Sequence, residues 1–212
     1  MTFNSPINKQ NFQSSEASFN TSINSQSRLA PVSSLEVSLR VGNSSSLAFV
    51  DTSISNYESL IQGITPGTEV HVLKAGEDAV TQITEVLLRR QGISSLHIFS
   101  HGSAGSLDFA SSSLNAYNIR AYTEQLQVWG NALKPNADIL LYGCNVAENA
   151  LGKTFVELIR QVTGADIAAS NDLTGNATKG GNWELEYKAG SIETEQVFQA
   201  QSTYNDTLAT YT

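Results

Sequence analysis

The chain has 212 residues, of which 40% are hydrophobic, with a formal net charge of −8 and a sequence pI of about 4.8. That size suits one domain with a tail, and the acidity excludes a phosphate-backbone binder, which needs a basic stripe, so no nucleic-acid partner is expected. No apolar run approaches the roughly 18 residues of a membrane helix, and a single cysteine excludes both an intrachain disulfide and a paired-thiolate zinc site.

Residues 1–34 are rich in Ser, Asn and Gln and read as a disordered leader, because they cannot bury enough apolar surface to offset ordering. They lack the basic stretch and apolar core of a conventional signal peptide. A domain is predicted over residues 35–190. Leu35, Val37, Leu39 and Val41 alternate as a half-buried strand would, and Leu47 to Val50 form a strand ending at Asp51. Tyr57 to Ile61 read as a short helix and Glu69 to Leu73 as a strand. Glu77 to Arg90 carry a helical apolar stripe (Val80, Ile83, Val86, Leu87), and Leu96 to Ser100 read as the next strand.

A Gly/Ser-rich segment from Gly102 to Ser113 is expected to be a loop. Ile119, Tyr122, Leu126, Trp129 and Leu133 then recur at helical spacing, which places Trp129 in the core. Asp138 to Tyr142 form a strand, Leu151 to Val162 a helix closed by Gly164, and Ile167 to Ser170 and Trp183 to Tyr187 two further strands. Residues 191–212 are a C-terminal extension that reads equally as an edge strand or a linker stub. Strands alternating with helices give a mostly parallel sheet with helices on both faces, a three-layer α/β sandwich.

Ligands on such sheets bind beyond the carboxyl ends of the strands. His101, Cys144, Asp51 and Asn171 all follow predicted strand ends, so they share that rim. An imidazole and a thiol at neighbouring strand ends are the parts of a nucleophilic dyad, with Cys144 attacking and His101 moving the proton. The N–H groups of Gly102 and Cys144 are candidate oxyanion donors, and a helix starting shortly after Cys144 would depress the thiol pKa. Each residue also has a plainer reading: Cys144 as a small buried hydrophobe, His101 as a loop residue. His71 and His97 lie within strands and read as core or sheet-face histidines; no convergent metal-ligand set is announced, and no cofactor is expected.

Strand-His-Gly followed by strand-Gly-Cys resembles the caspase-hemoglobinase fold of cysteine peptidases. In caspases the histidine lies about 50 residues before the cysteine; here the interval is 43. The stretch from Leu47 to Glu186 more closely resembles a bacterial domain-of-unknown-function family, number 4347. The matching runs are Phe49 to Asp51, Ser100 to Gly105, Leu140 to Cys144 and Thr163 to Ser170. The resemblance implies a protease-like fold, and a setting in large secreted or surface proteins.

It also bears on substrate binding. Asp51 sits where peptidase relatives line the specificity pocket, which implies an acid selecting Arg or Lys; it equally reads as a cap for the turn with Thr52 and Ser53. Asp172 shares both readings. Caspases have Gln two residues before the nucleophile and their Arg- or Lys-cleaving relatives often Asp; Tyr142 stands there in this chain, so the pocket cannot be copied over. The expectation is a caspase-like cysteine endopeptidase acting on a polypeptide, including its own chain. The alternative is a catalytically silent module that starts a surface or adhesion protein and acts by binding or secretion targeting.

Overall fold

The computed structural model describes residues 44–198 and 204–210; the expected leader and the alternation from Leu35 to Val41 lie outside them. Six strands form the main sheet: β1 (Ser46–Asp51), β2 (Glu69–Leu73), β3 (Ile93–Phe99), β7 (Leu133–Tyr142), β8 (Asp166–Ala169) and β9 (Tyr187–Ala189). Their order is β2-β1-β3-β7-β8-β9, parallel throughout except for the antiparallel edge strand β9. Three residues each make β4 (His101–Ser103), β5 (Ser106–Asp108) and β6 (Ser113–Asn115), a separate antiparallel sheet. The segment expected to be a loop is therefore a meander. Its strands are too short and polar to show an alternation, but Leu107 and Leu114 are fully buried and anchor it.

Alternation along the strands divides the core. Leu47 and Phe49 of β1, with Ile98 of β3 and Leu141 of β7, face a cluster with Val80 and Ile83 of α2 (Ala79–Leu87), Trp129 of α3 (Thr123–Ala132) and Phe155 of α4 (Asn149–Thr163). Trp129 is buried as expected, and its indole N–H donates to Thr84 Oγ1 at 2.9 Å, which spares a buried donor the cost of losing water. Ala48, Val50, Phe99, Leu140 and Tyr142 face the other way, toward Leu60 of α1 (Tyr57–Gln62) and Trp183, Phe198, Tyr204 and Leu208. One face thus carries three helices. The other carries one short helix together with Trp183, Leu185, Val197, Phe198, Tyr204 and Leu208.

The strand order reverses direction between β1 and β3, since β2 lies to one side of β1 and everything later to the other. Strands β3 and β7 are neighbours, with Phe99 opposite Tyr142. Their carboxyl ends carry His101 and Cys144 to one rim, as the sequence predicts. No helix among the described residues is long and apolar enough to cross a membrane.

Candidate active site

Two glycines allow the two strand ends to meet. A Cβ on Gly102 would lie 2.8 Å from the Cys144 carbonyl oxygen and 2.8 Å from Val146 Cγ2; one on Gly143 would lie 3.2 Å from the His101 carbonyl oxygen. The backbones bearing His101 and Cys144 are thus in close approach, at Gly102 through a position where only hydrogen fits and at Gly143 through one where a side chain would be tight. After Cys144 the chain turns through Asn145 at φ 63°, a left-handed conformation that asparagine tolerates. The Asn145 N–H donates to the Asp172 carbonyl at 2.7 Å and the Ala147 N–H to the Ser170 carbonyl at 2.8 Å, so the loop after β8 fixes the loop that carries the thiol.

His101 is partly exposed, and both ring nitrogens face carbonyl oxygens: Nδ1 lies 2.8 Å from Leu208 O and Nε2 3.1 Å from Ser53 O. A neutral imidazole donates to one of these; donation to both requires a proton on each nitrogen. Asp51 holds Ser53 in place. It is 1% exposed, and its carboxylate accepts from the Ser53 N–H at 2.9 Å, from the Ser53 hydroxyl, and from the Ala110 N–H at 3.2 Å. The acid therefore caps the turn after β1 and acts on His101 through the Ser53 carbonyl.

Cys144 is 1% exposed. Its sulfur accepts from the Thr174 N–H at 3.3 Å, and its S–H points to the Thr174 carbonyl at 3.6 Å. Burial pushes the thiol pKa up and the negative charge of Asp172 adds to this, against backbone hydrogen bonds from Thr174 and Leu208 that pull it down. The expected depression of the thiol pKa by the following helix is not what the structure shows. Helix α4 begins only at Asn149, and the dipole effect is confined to about the first turn, so desolvation wins. The Cys144 N–H donates to no backbone acceptor in the loops among the described residues.

Tyr142 lies in the core rather than on the rim. It is 0% exposed and stacked on Phe99 with ring centroids 4.3 Å apart. Asp172 is exposed; its carboxylate accepts from Asn182 Nδ2 at 2.9 and 3.1 Å and its carbonyl from Asn145. Asp172 and Asp51 thus both flank the dyad while pairing with neighbours of their own.

The residues that join His101 to Cys144 come from the C-terminal extension. Thr207 bridges antiparallel to Gly175; the Leu208 N–H donates to Thr174 O at 2.8 Å and the Asn176 N–H to Asp206 O at 2.8 Å. Lys179 Nζ meets Asp206 Oδ1 at 2.9 Å, and the Tyr204 hydroxyl donates to Ser55 O at 3.0 Å. Tyr204 and Leu208 are both 0% exposed and belong to the cluster that contains Cys144. Burying one such side chain stabilises by about 1.5–3 kcal/mol, so the segment is anchored across the rim by its own side chains. Ser53, Thr174 and Leu208 escaped the sequence reading because they act through main-chain groups, which leave no side-chain signature. A cavity of about 810 Å³ is lined by Leu140, Trp183, Glu186 and Ile192 among others; neither His101 nor Cys144 lines it.

The model of the family described as "Domain of unknown function (DUF4347)" matches residues 47–208, a stretch that includes the rim and the segment crossing it. No curated protein and no solved structure matches the chain.

Proposed function

Because the chain belongs to the DUF4347 family of domains of unknown function, we propose its activity from the geometry of the rim: a caspase-like cysteine endopeptidase that uses Cys144 as nucleophile and His101 to move the proton. The observation that carries this reading is the backbone of Leu208, which touches His101 directly and reaches Cys144 through Thr174. Its carbonyl oxygen lies 2.8 Å from His101 Nδ1, and its N–H donates at 2.8 Å to the Thr174 carbonyl that the Cys144 S–H faces at 3.6 Å. A dyad that cuts polypeptides must present its two side chains to one peptide carbonyl. Main-chain pairing with residues 174–176 is also how an extended substrate would be held, since it binds backbone without regard to sequence. The substrate is a polypeptide, and the protein that carries this domain is the first candidate; no cofactor takes part in bond breaking. Its setting in a secreted or surface protein belongs to the same proposal.

A second reading rests on the burial of Cys144 and its raised thiol pKa: a silent module in which the thiol is a packing residue. Peptide mapping of the purified chain, and of casein incubated with it, separates the two. A cut in either that vanishes in both Cys144→Ala and His101→Ala supports the endopeptidase. Uncut chains, with Cys144 no more reactive than free cysteine even in 2 M urea, leave the silent module.

A further inference from the structure

We infer that the segment Tyr204–Leu208 is seated as this domain's own substrate and that the bond cut is Leu208–Ala209; the inference rests on the endopeptidase reading above. The carbonyl carbon of Leu208 is one covalent bond from the oxygen held by His101 Nδ1 at 2.8 Å, and two from its own backbone nitrogen, which lies 2.8 Å from Thr174 O beside the Cys144 sulfur. Leu208 thus contacts His101 directly and is linked to Cys144 through the Thr174 carbonyl. The segment is extended and paired, as a substrate's would be: Asp206 and Leu208 bond residues 176 and 174, with Thr207 opposite Gly175 between them.

Side chains set the register. Leu208 is 0% exposed within the apolar cluster that includes Cys144 and Trp183, whereas Ala209 after it is only partly buried and Thr210 is exposed. A buried side chain before the bond and open chain after it is the arrangement of a site that reads the acyl side and releases the amine side. Two residues upstream, Asp206 is fixed by Lys179, a charge-assisted contact that an apolar slip of register would break. The specificity is therefore for leucine or a similar apolar residue before the cut, rather than for Arg or Lys, since Asp51 is already occupied by Ser53 and Ala110.

The step balances without a co-reactant. The sulfur of Cys144 bonds to the Leu208 carbon, the carbon–nitrogen bond to Ala209 breaks, and the proton leaving sulfur reaches the Ala209 nitrogen through His101. Water then adds to the thioester, giving a Leu208 carboxylate and returning the thiol.

Intact-mass and C-terminal peptide analysis of the purified chain tests the assignment. Wild type is expected to yield a chain ending at Leu208, Cys144→Ala none, Leu208→Met nearly as much as wild type, and Leu208→Asp at least tenfold less. Leu208→Asp is expected to alkylate faster at Cys144, which shows that the protein is folded with its cleft opened. A Cys144-dependent cut at another bond overturns the assignment and spares the endopeptidase reading. An intact wild type whose Cys144 reacts quickly only in Leu208→Asp also overturns it, leaving the segment as a plug. No cut and no reactive cysteine in either chain overturns both.

A separate observation supports a divalent-cation site at the opposite end of the sheet. Oxygens of Asp138, Asp166 and Glu193 lie within 4.8 Å of one another. Asp138 is 1% exposed and its Oδ1 has no hydrogen-bond partner, while Oδ2 accepts from the Glu193 and Thr194 N–H groups at 3.2 and 2.8 Å. Only Arg160, 3.4 Å from Asp166, offsets the three carboxylates among the described residues. All-oxygen ligation of this kind suits calcium. Thermal unfolding with calcium chloride against EDTA is expected to show a rise in Tm of several degrees for wild type and none for Asp138→Asn; equal shifts in both, or none in wild type, overturn the site.

Discussion

His101 Nδ1 lies 2.8 Å from the carbonyl oxygen of Leu208, a residue 107 positions later in the chain. The ring and that carbonyl meet because β3 and the antiparallel segment beside residues 174–176 converge on one rim. Leu208 lies in the same apolar cluster as Cys144, whose thiol is buried.

The covered thiol has a pH signature. Because burial raises its pKa, Cys144 contributes stability that is present below the ordinary thiol pKa of about 8.5 and is lost as pH rises through the higher folded value. Urea unfolding of wild type should therefore weaken above about pH 8.5 and that of Cys144→Ser should not. Iodoacetamide at pH 7 should label wild-type Cys144 more slowly than free cysteine.

His97 governs the acid side. It is 0% exposed, stacked near Tyr142, with Nε2 3.1 Å from Ser95 Oγ and Nδ1 without a partner. Burial holds its pKa down at about 3. The unfolded chain takes up this proton below about pH 6.5, so stability should fall by about 1.4 kcal/mol per pH unit between 6.5 and 3. The slope in urea midpoints over that range should shrink by this amount in His97→Leu; an unchanged slope would assign it to other groups.

Gly102→Ala should destabilise the domain by about 1–3 kcal/mol, because its Cβ meets the Cys144 carbonyl and the Gly143 backbone as well as Val146 Cγ2, and the backbone cannot swing aside. The rim should loosen with it. Denaturant midpoints read the first effect, and faster alkylation of Cys144 the second.

Asp51→Ala removes the charged acceptor of the Ser53 and Ala110 N–H groups, two residues that are themselves exposed to water, at a cost of about 1–2 kcal/mol. It should also release the Ser53 carbonyl from His101. Asp51→Asn, which keeps the acceptor oxygen, should recover most of the stability in the same unfolding assay. If Asp51→Ala unfolds like wild type, the turn does not depend on the acid.

The α/β layers were legible because β1, β3 and β7 are continuous apolar runs and α2 and α4 carry helical stripes. The rim residues were legible because His101 and Cys144 directly follow two of those runs. The meander from His101 to Asn115 was not, since three-residue strands of Ser, Gly and Asn carry no period. Nor was the role of Leu208, which joins Thr174 and His101 through backbone groups closed over a long loop. Asp51 shows the intermediate case: its position was legible, but only its hydrogen bonds decide between pocket and turn. Tyr142 reads as a rim residue from its neighbours, yet strand alternation turns it onto Phe99.

The central claim is that the sulfur of Cys144 is acylated by Leu208. Incubating the wild-type chain with hydroxylamine, which competes with water for a thioester, and analysing the C-terminal peptide by mass spectrometry tests it most directly. The account predicts a Leu208 hydroxamate that is absent from Cys144→Ala. A hydroxamate on another residue, or an intact Leu208–Ala209 bond in wild type, would contradict it.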